Sequence, residues 1–462
     1  MKVQIDPKIK AAVLFAEKAT GSPCYVVGGY VRNQLLGKVS DDIDFVIEGD
    51  SIVFAKSFAR CLECKKVVIF PRFKTAKVCF GPIFAEFVSA RTEKYDRASR
   101  KPTVETSTLY QDLRRRDFTV NSIACRVNGS GREKLIDYFG GIEDLKKKII
   151  RTPLPPLVTY SEDPLRMLRC IRFASVLGFK IDEGSFNAIA PNCDRMDIVS
   201  VERITEELFK IISSNRPVKG VWLLYKSGLL GKLLPEITEL KGVEEKNGQV
   251  HKDIFIHTLK VLNNISRVTE KTALRLAALM HDIGKKRTKF YKKGQGWTFH
   301  GHDEAGARMF VSIAKRLKFS NGLTDYVAKI IRLHHRPIAL AKEEVTDSGV
   351  RRLLFEGGDD VEDLMLLCRA DITTANKSKL GRYLQNFDRL SDKIIEVEEK
   401  DRIRNFKPPV SGLDIMRLFN IRPGPQVGKI KNIIVEAVLN GEIENDRESA
   451  VRLLKRLPKT GG

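Results

Sequence analysis

The sequence lacks long hydrophobic runs, internal repeats and low-complexity tracts, and its eight cysteines include one CxxC pair only. No stretch approaches the roughly 18 apolar residues of a membrane span, so no membrane partner is expected. The N-terminal segment has neither a signal-peptide core nor a transit-peptide composition, which favours a cytoplasmic protein. Cys61 and Cys64 lack the second pair that a zinc site requires. We therefore interpret the cysteines as reduced and structural, with redox chemistry at this pair as a minor alternative.

Positive charge is what the sequence has in excess. Among 462 residues, 81 are Lys or Arg and 58 are Asp or Glu, so the net charge is +23. The hydrophobic share of 42% excludes wholesale disorder, and the length predicts about two to four domains. Such an excess favours a polyanionic partner, most simply nucleic acid bound through its phosphates, although solubility alone would also explain it.

The hydrophobic pattern changes along the chain. Residues 1–150 alternate short apolar runs with turns, and CYVV, DIDFVIE, KKVVIF, KVCF and FAEFVSA are typical of strands. From Ser161 onward the apolar spacing is that of helices. Breaks rich in proline, glycine or polar residues predict four segments, which are an α/β head at 1–150, a helical neck and body at 151–245, a second helical domain at 246–400 and a helical tail at 401–462.

Two glycines and three acidic residues in the first segment indicate a metal-assisted phosphate site. Gly28 and Gly29 follow a strand and precede a helix, where backbone N–H groups can approach a phosphate, although a simple tight turn is the alternative. Asp42 and Asp44 alternate along a strand, so both project from one face, and their repulsion favours a bound cation such as Mg²⁺. Glu86 could complete a two-metal arrangement, with a plain surface glutamate as the alternative.

An arginine cluster follows at Arg114, Arg115 and Arg116. Guanidinium groups bind phosphate in bidentate fashion, and Asp117 could hold one of them or contact a ribose. In this order GGYVRNQLLG, DDIDFVIEGD, RRDFTVNSIA, DYFGGIEDLKKKIIRT and EDPLRMLRCIRFASVLGF resemble the class II tRNA nucleotidyltransferases. That family contains CCA-adding enzymes and bacterial poly(A) polymerases, and it implies a polymerase-beta-like mixed sheet in the head. Asn33 is a departure, because the family often has Asp there.

The resemblance implies transfer of CMP and AMP from CTP and ATP to the 3′ end of tRNA. Two Mg²⁺ ions at Asp42 and Asp44, with Glu86 as a third catalytic acid, would activate the terminal hydroxyl for attack on the α-phosphate. Arg203 and Glu207 would support the neck helices, and their spacing allows an intrahelical pair. The residues that the resemblance assigns to nucleotide binding are Gly28, Gly29, Arg32, Arg115, Arg116, Asp117, Asn121, Glu162, Asp163, Arg166, Arg169 and Arg172.

Asp163 and Arg166 also have a physical interpretation of their own. We predict them on a helix that Glu162 opens, where residues three apart are neighbours. An aspartate accepts from an amino group and an arginine donates to a ring nitrogen, which suits cytosine and adenine and leaves groups unpaired against guanine and uracil. The pair would then be a protein template for base choice. The alternative is a helix N-terminus with acids at its positive end and an arginine-rich surface.

All seven histidines lie between His251 and His335. His and Asp ligands suit Mn, Fe, Ni, Zn or Mg. The order resembles that of the HD-domain phosphohydrolases, and the resemblance implies a metal site at four residues, with three further histidines as candidates for a second metal or for contact with phosphate. A degenerate HD fold kept for its structure is the alternative. The four residues are His257, His281, Asp282 and Asp371, and the further histidines are His302, His334 and His335.

A basic stretch follows the HD pair. Residues 285–293 contain six basic residues and no acid, and Lys285 at their start could contact a substrate phosphate. We interpret the stretch as a track for an RNA backbone, with Phe290 and Tyr291 available for stacking. A solvated loop is the alternative.

The leading hypothesis is a CCA-adding enzyme fused to an HD domain that hydrolyses phosphoesters, such as 2′,3′-cyclic phosphates or 2′-phosphates, at RNA ends. A bacterial poly(A) polymerase shares the head motifs, but such enzymes typically have an LIGRRF-like sequence where this chain has VVIFPRFKTAKV, and they seldom carry an HD domain. An A-only enzyme stays open, whereas a CC-only enzyme is disfavoured by the polar loop predicted at 92–111. A non-catalytic RNA-binding protein is the last alternative, and the intact acids argue against it.

Overall fold

The structure, a computed structural model, divides the chain into two compact units, residues 1–235 and 236–462. Within the part of the chain that the structure describes, no helix has the length and hydrophobicity of a membrane span. The finer division into four segments stays a prediction. The described residues are 3–40, 42–81, 83–96, 99–127, 133–243, 245–246, 249–250, 253–342, 345–374, 376–401, 403–404 and 406–457.

The first unit begins with a mixed sheet of seven strands, in the order β3-β4-β5-β2-β1-β8-β9. The central pair β2 and β5 is parallel, and the other neighbours are antiparallel. Every strand predicted from an apolar run is present, so the predicted mixed sheet is confirmed. The strands are β1 (Cys24–Val27), β2 (Asp42–Ile47), β3 (Val67–Phe70), β4 (Thr75–Phe80), β5 (Ile83–Ser89), β8 (Ile123–Arg126) and β9 (Lys134–Asp137), and a separate hairpin consists of β6 (Arg91–Asp96) and β7 (Ser99–Thr106).

Helices cover one face of this sheet. Ile43 and Phe45 of β2 and Phe87 of β5 are buried there against Phe54 and Phe58 of α3, with the rings of Phe45 and Phe87 stacked 4.8 Å apart. Because side chains alternate along a strand, the even-numbered residues of β2 point away from α3, and Val46 among them packs near Leu109 and Leu113 on the opposite face. The helices of this region are α1 (Pro7–Thr20), α2 (Gly29–Leu35), α3 (Ser51–Cys61), α4 (Leu109–Arg114) and α5 (Gly141–Lys147).

Two sequence predictions about this unit are wrong in detail. Residues 92–111, predicted as a polar loop, form most of the β6–β7 hairpin and the start of α4, with residues 97–98 outside the described part. The helix predicted to open at Glu162 begins at Leu165 instead. Pro164 disfavours helical backbone at the residue before it, and Asp163 is accordingly extended, with φ −133° and ψ 98°.

The rest of the first unit is helical, as predicted. A nine-residue 3₁₀ helix at Ala190–Ile198 lies between two of its helices. The elements are β10 (Ile149–Ile150), α6 (Pro156–Glu162), α7 (Leu165–Leu177), β11 (Lys180–Ile181), α8 (Glu183–Asn187), α9 (Val201–Ile212), α10 (Pro217–Lys226) and α11 (Leu229–Leu233).

The second unit is helical apart from short strand pairs, and the predicted all-helical architecture is confirmed. Its last three helices have a hydrophobic core of their own around Ile415, Ile434 and Leu454. The elements are α12 (Pro235–Thr238), β12 (Glu245–Lys246), β13 (Gln249–Val250), α13 (Ile254–Ser266), α14 (Thr272–Met280), α15 (Lys285–Thr288), β14 (Phe290–Lys292), β15 (Gly296–Thr298), α16 (His302–Arg316), α17 (Asn321–Leu333), α18 (His335–Leu340), α19 (Asp347–Gly357), α20 (Val361–Asp371), α21 (Lys377–Asp401), α22 (Gly412–Phe419), α23 (Pro425–Asn440) and α24 (Arg447–Arg456).

Two candidate active sites

The first candidate site lies on the sheet face opposite α3, the face against which Leu109 and Leu113 of α4 pack. Asp44 is in register with Glu86 on the parallel neighbour β5, and Asp42 lies two residues earlier on β2. The three acids therefore share a face. Burial raises the pKa of Asp44, Arg116 opposes this shift, and the nearby charges of Glu86 and Asp42 raise the pKa further. A divalent cation would relieve this repulsion, so the donor set of Asp42 and Asp44 fits Mg²⁺.

Glu86 already has a counter-charge. Its carboxylate lies 2.9 Å from the Lys77 ammonium on β4, and both residues line a cavity of about 310 Å³. Among the described residues, the three head carboxylates do not bring their ligand oxygens within 4.8 Å of one another. The role of Glu86 as a third metal ligand therefore stays a prediction.

The glycine turn lies directly beside this acidic face. Gly28 has a positive φ of 71°, and a Cβ atom there would lie 2.8 Å from Arg116 Nη1 and 3.5 Å from Asp44 Oδ2. Arg116 is held in turn by Asp112, whose Oδ2 accepts from its Nε at 3.2 Å and its Nη2 at 3.1 Å. A side chain at Gly28 would collide with the Arg116 guanidinium beside Asp44, and the positive φ also favours glycine.

Asp112 is a residue that the sequence analysis missed. It is fully buried and also accepts from Arg115 Nε at 3.1 Å and Nη2 at 2.5 Å. Burial raises the pKa of Asp112, but the charges of Arg116 and Arg115 outweigh it, and the pKa is lowered overall. The spacing of three and four residues from Asp112 to the two arginines was the available signal.

A second polar network joins the head to the neck. Asp117 Oδ2 accepts from Arg169 Nε at 2.8 Å, and its Oδ1 accepts from Asn121 at 2.9 Å. Asn121 accepts in turn from Arg32 Nη1 at 2.6 Å. Asn33 accepts from Arg32 at 2.8 and 3.1 Å, so the departure from the family pattern keeps a hydrogen-bond acceptor at that position.

Three arginines surround the ring of Phe173 on α7. The guanidinium carbons of Arg32, Arg169 and Arg172 lie 5.1, 5.6 and 4.0 Å from the ring centroid. The negative face of an aromatic ring attracts cations, so Phe173 stabilises three guanidinium groups close to one another. Phe173 was not predicted from the sequence, because an aromatic residue within a helical apolar stripe indicates only core.

The support residues on α9 make contacts to the template segment. Glu207 pairs with Arg172 Nε at 2.6 Å, and Arg203 lies 3.9 Å from Asp163. These contacts link α9 to α7 and to the segment before it, whereas the spacing alone had predicted a pair within α9. The supporting role of Arg203 and Glu207 stays a prediction that these contacts favour.

Arg166 is buried in this structure, with 7% of its side chain exposed. Its guanidinium donates to the carbonyl oxygens of Thr159 at 3.3 Å and Arg115 at 2.7 Å, and to Glu162 at 3.3 Å. Asp163 Oδ1 accepts from the N–H of Leu165, the first residue of α7, at 3.2 Å. The template role of Asp163 and Arg166 stays a prediction.

Replacement of Asp117 by asparagine is expected to destabilise the first unit in a pH-dependent way. Burial raises the pKa of Asp117, but the charge of Arg169 and the hydrogen bond from Asn121 outweigh it and lower the pKa to about 2. The carboxylate therefore contributes about 2 kcal/mol of stability, which is present above pH ~4 and is lost as the pH falls towards ~2. Thermal unfolding at several pH values should show the gap between wild type and Asp117→Asn narrowing in acid. Asp197→Asn, at a carboxylate with 69% exposure, is the control and should show no such gap.

The second candidate site collects the predicted histidines and aspartates at helix ends. They form a first ligand set of His257, His281 and Asp371 and a second ligand set of His302, His334 and His335, each with ligand atoms within 4.8 Å of one another. His300 belongs to neither set, and His251 lies outside the described residues.

Asp282 connects the two ligand sets. Its Oδ2 lies 3.3 Å from His281 Nε2 and 3.5 Å from His257 Nε2, in the first set. Its Oδ1 lies 3.7 Å from His302 Nε2 and 3.8 Å from His334 Nε2, in the second set. One fully buried carboxylate thus faces both sets with different oxygens.

The histidine rings are oriented by their outer nitrogens. Nδ1 of His281 donates to the Ala278 carbonyl at 2.8 Å, and the equivalent bonds of His302 and His334 go to carbonyls three residues earlier, at 2.8 and 2.5 Å. His257 Nδ1 lies 2.9 Å from Thr373 Oγ1. With Nδ1 engaged, Nε2 of each ring faces the cluster, which is the orientation of metal-binding histidines.

The electrostatics of the cluster fit a cation. Two buried atoms, His281 Nε2 and Asp282 Oδ1, have no hydrogen-bond partner among the described residues. Burial lowers the pKa of His281, but the carboxylates of Asp282 and Asp371 outweigh it and raise the pKa to about 10. Burial and neighbouring positive charge lower the pKa of His334 to about 3 and that of His335 to about 4, so both rings are neutral and able to bind a metal.

Two residues after the HD pair shape the site. Lys285 Nζ lies 2.7 Å from Asp282 Oδ2, so its partner in this structure is the carboxylate, and the predicted phosphate contact stays a prediction. A Cβ atom at Gly284 would lie 2.0 Å from the His302 carbonyl oxygen. Only glycine lets the chain pass this close to α16.

Three family models match the chain. The poly(A) polymerase head domain matches residues 24–151, the probable RNA- and SrmB-binding site of polymerase A matches 178–241, and the HD domain matches 254–391. An A-adding tRNA nucleotidyltransferase of Deinococcus radiodurans is 30% identical over 450 residues, which are 95% of this chain and 96% of that protein. The chain belongs to the tRNA nucleotidyltransferase family. It is therefore an enzyme of that family with an HD domain, and the predicted family is confirmed.

Other tRNA nucleotidyltransferases match parts of the chain. The multifunctional CCA protein of Nitrosococcus oceani is 30% identical over 75% of this chain and 84% of its own length. An A-adding tRNA nucleotidyltransferase of Aquifex aeolicus is 47% identical over 238 residues, but these are only 28% of that protein. A solved CCA-adding enzyme, apo form I, has the same fold, with a TM-score of 0.66 at 21% identity over 99% of this chain and 96% of its own.

Proposed function

We propose that the first unit is a CCA-adding tRNA nucleotidyltransferase, which transfers CMP and AMP from CTP and ATP to the 3′ end of tRNA. The observation that carries the proposal is the acidic face of Asp42 and Asp44 beside the Gly28 turn and Arg116. This arrangement places carboxylates for a cation next to a donor for phosphate. A solved tRNA nucleotidyltransferase in complex with a primer tRNA and an incoming ATP analogue is 25% identical to this chain, with a TM-score of 0.59. The match covers 82% of this chain and 98% of that one. This similarity supports tRNA and a nucleoside triphosphate as the substrates.

The roles of the residues follow from their positions. Asp42 and Asp44, with Glu86 as a further acid, would hold Mg²⁺. Two such ions, when bound, favour the deprotonated terminal hydroxyl and neutralise charge on the phosphates. Arg116 and Arg115 are held rigidly by Asp112, so they can contact triphosphate oxygens without a large loss of side-chain freedom. The arginine groups around Phe173 supply further donors.

The base template requires a rearrangement from the contacts described here. Arg166 uses its guanidinium on two backbone carbonyls and Glu162. For Asp163 and Arg166 to read the edge of a cytosine or adenine, some of these hydrogen bonds must be exchanged for hydrogen bonds to the base. We propose that nucleotide binding drives this exchange.

We further propose that the second unit hydrolyses phosphoesters at RNA ends, with 2′,3′-cyclic phosphates as the main class. His257, His281, Asp282 and Asp371 would hold a first divalent ion of the Mn, Fe, Ni, Zn or Mg type, and the second ligand set, together with Asp282, a second one. Metal when bound supplies a Lewis acid and an activated water. Water adds to the phosphorus, one P–O bond of the ring breaks, and the released ribose oxygen takes a proton, which leaves a phosphomonoester.

A second candidate for the first unit is an A-only enzyme. The specific observation in its favour is that the relatives matched at 30% identity over 95% of this chain, and at 47% over about half of it, are A-adding enzymes. The two candidates share the same chemistry at Asp42 and Asp44. They differ only in whether CTP is used.

Four tRNA transcripts test these candidates together: one that ends at the discriminator base, one extended by C, one by CC and one by CCA. With CTP and ATP, a CCA-adding enzyme should complete the first three to CCA and leave the fourth unchanged. An A-only enzyme should extend only the CC-ended transcript, by one A. Addition of several adenylates to all four transcripts would contradict both candidates and indicate a poly(A) polymerase. Sequencing of the products distinguishes these outcomes.

A further inference from the structure

A β-hairpin is inserted between two metal-binding segments of the second unit. The chain leaves the cluster at Lys285, whose ammonium lies 2.7 Å from Asp282 Oδ2, and forms the antiparallel pair of β14 and β15. It returns at Phe299, whose carbonyl accepts from His302 Nδ1 at 2.8 Å. Both ends of the hairpin segment are thus fixed directly at the cluster.

The hairpin segment is basic and carries an exposed aromatic ring. Residues 285–293 contain six basic residues and no acid, and Lys292 and Lys293 are exposed at its turn. Phe290 is 66% exposed. Exposure of a large apolar side chain to water is unfavourable, which suggests that Phe290 has a binding role. Exposed aromatic rings among basic residues are the surfaces on which proteins stack unpaired bases.

The other aromatic residues of the hairpin hold it in shape. Tyr291 packs edge-on against Trp297 with ring centroids 5.2 Å apart, and Lys289 lies 4.2 Å from the Trp297 ring centroid. The Tyr291 ring is therefore engaged inside the hairpin, in contrast to the exposed ring of Phe290. This internal packing gives the segment a fixed shape rather than that of a solvated loop.

We propose that this hairpin binds the single-stranded 3′ end of an RNA and leads it to the HD cluster. Lys292 and Lys293 contact backbone phosphates, and one base stacks on Phe290. The inference rests on the proposed phosphohydrolase function and adds to it a preference for polymer ends over mononucleotides. Charge complementarity favours RNA, because the exposed lysines suit backbone phosphates and the exposed ring of Phe290 suits an unpaired base.

The test uses the full chain and two kinds of variant. The first is the double reversal Lys292→Glu with Lys293→Glu, and the second is Phe290→Ala. The charge-matched control is Arg389→Glu with Lys400→Glu, at exposed positions of α21. Melting temperatures close to that of the wild type establish that each variant is folded.

Binding is measured without added metal, by anisotropy of a labelled oligonucleotide that ends in a 2′,3′-cyclic phosphate. Loss of two phosphate contacts should reduce the slope of log Kd against log salt by about 1.4. Phe290→Ala should weaken binding about tenfold at each salt concentration. The control should keep the slope and the affinity of the wild type. An equal loss of affinity in the control would overturn the proposal, because it would show that only the net charge of the protein matters.

Hydrolysis is then compared for the same oligonucleotide and for 2′,3′-cyclic AMP. We expect kcat/KM for the oligonucleotide to fall about tenfold in the hairpin variants, and hydrolysis of the mononucleotide to stay unchanged. If kcat/KM falls equally for both substrates, the hairpin only supports the structure of the cluster and the proposal is wrong. If the wild type hydrolyses neither substrate, the phosphohydrolase function fails, and the binding data still decide whether the hairpin holds RNA.

Discussion

Asp44→Asn should lower the rate of nucleotide addition about a thousandfold, because it removes one of the two carboxylates that would hold the cation. The substitution keeps the size of the side chain and removes only its charge. Burial, opposed by Arg116, raises the pKa of Asp44, and the negative charges of Glu86 and Asp42 raise it further. Loss of the Asp44 charge should slightly stabilise the protein without bound metal, and it should abolish cation binding. The measurement is single-turnover extension of tRNA with saturating nucleotide and Mg²⁺.

Asp42→Ala is expected to have the same effect on addition, and Asp194→Asn should have none. Asp194 is a matched control, since its carboxylate is 98% exposed in the same unit. Hydrolysis of 2′,3′-cyclic phosphates should continue at the wild-type rate in all three variants. Near-normal addition by Asp44→Asn would show that the cation is held elsewhere and that the acidic face is not the transfer site.

Asp282→Asn should abolish phosphohydrolase activity and empty both ligand sets of metal. Asp282 faces the first set with Oδ2 and the second set with Oδ1, so one substitution weakens both. We expect hydrolysis to fall about a thousandfold. Metal content should drop in elemental analysis of the purified protein, and the rise in melting temperature on adding Mn²⁺ should disappear.

Asp325→Asn, an exposed substitution on α17 of the same unit, should leave hydrolysis and metal content intact. tRNA extension by Asp282→Asn should match the wild type. Retained metal with lost activity would mean that Asp282 acts on the substrate and not as a ligand. Loss of tRNA extension would show that the two activities depend on one another.

The local pattern of the sequence was sufficient for the acidic face of the head. Alternation in DIDFVIE predicts that Ile43 and Phe45 are buried and that Asp42 and Asp44 point the other way, which the register of β2 and β5 shows. The alternation of side chains between the two faces extends over only the six residues of β2, so this prediction required no knowledge of contacts between distant segments. The same holds for the strands predicted from short apolar runs.

The details that the sequence did not predict depend on contacts between distant segments. The link from Asp117 to Arg169 spans 52 residues, and Arg166 reaches the carbonyl of Arg115 across 51. Nothing in either segment alone indicates which arginine meets which acid. The helix break at Asp163 is different, since Pro164 was a visible signal that the periodicity of the surrounding residues concealed.

The metal cluster lies between these cases. The order of His257, the HD pair and Asp371 predicted one ligand set, and the clustering of later histidines predicted a second. The position of Asp282 between both sets was not predictable, because it follows from how α13, α14, α16 and α17 meet. A motif indicates candidate ligands, whereas packing decides which candidate faces both sets.

One feature of that cluster bears on how such a site can persist while the surrounding sequence changes. His281, His302 and His334 each anchor their outer nitrogen on the carbonyl three positions upstream. The anchor is a main-chain atom, so every amino acid supplies it equally well. The rings of His281 and His334 keep this orientation while the last turns of α14 and α17 stay helical, and the ring of His302 keeps it while the turn before α16 is maintained. The direction of these rings is set by the main chain, so a change of side chain at Ala278, Phe299 or Ile331 leaves the anchoring carbonyl in place.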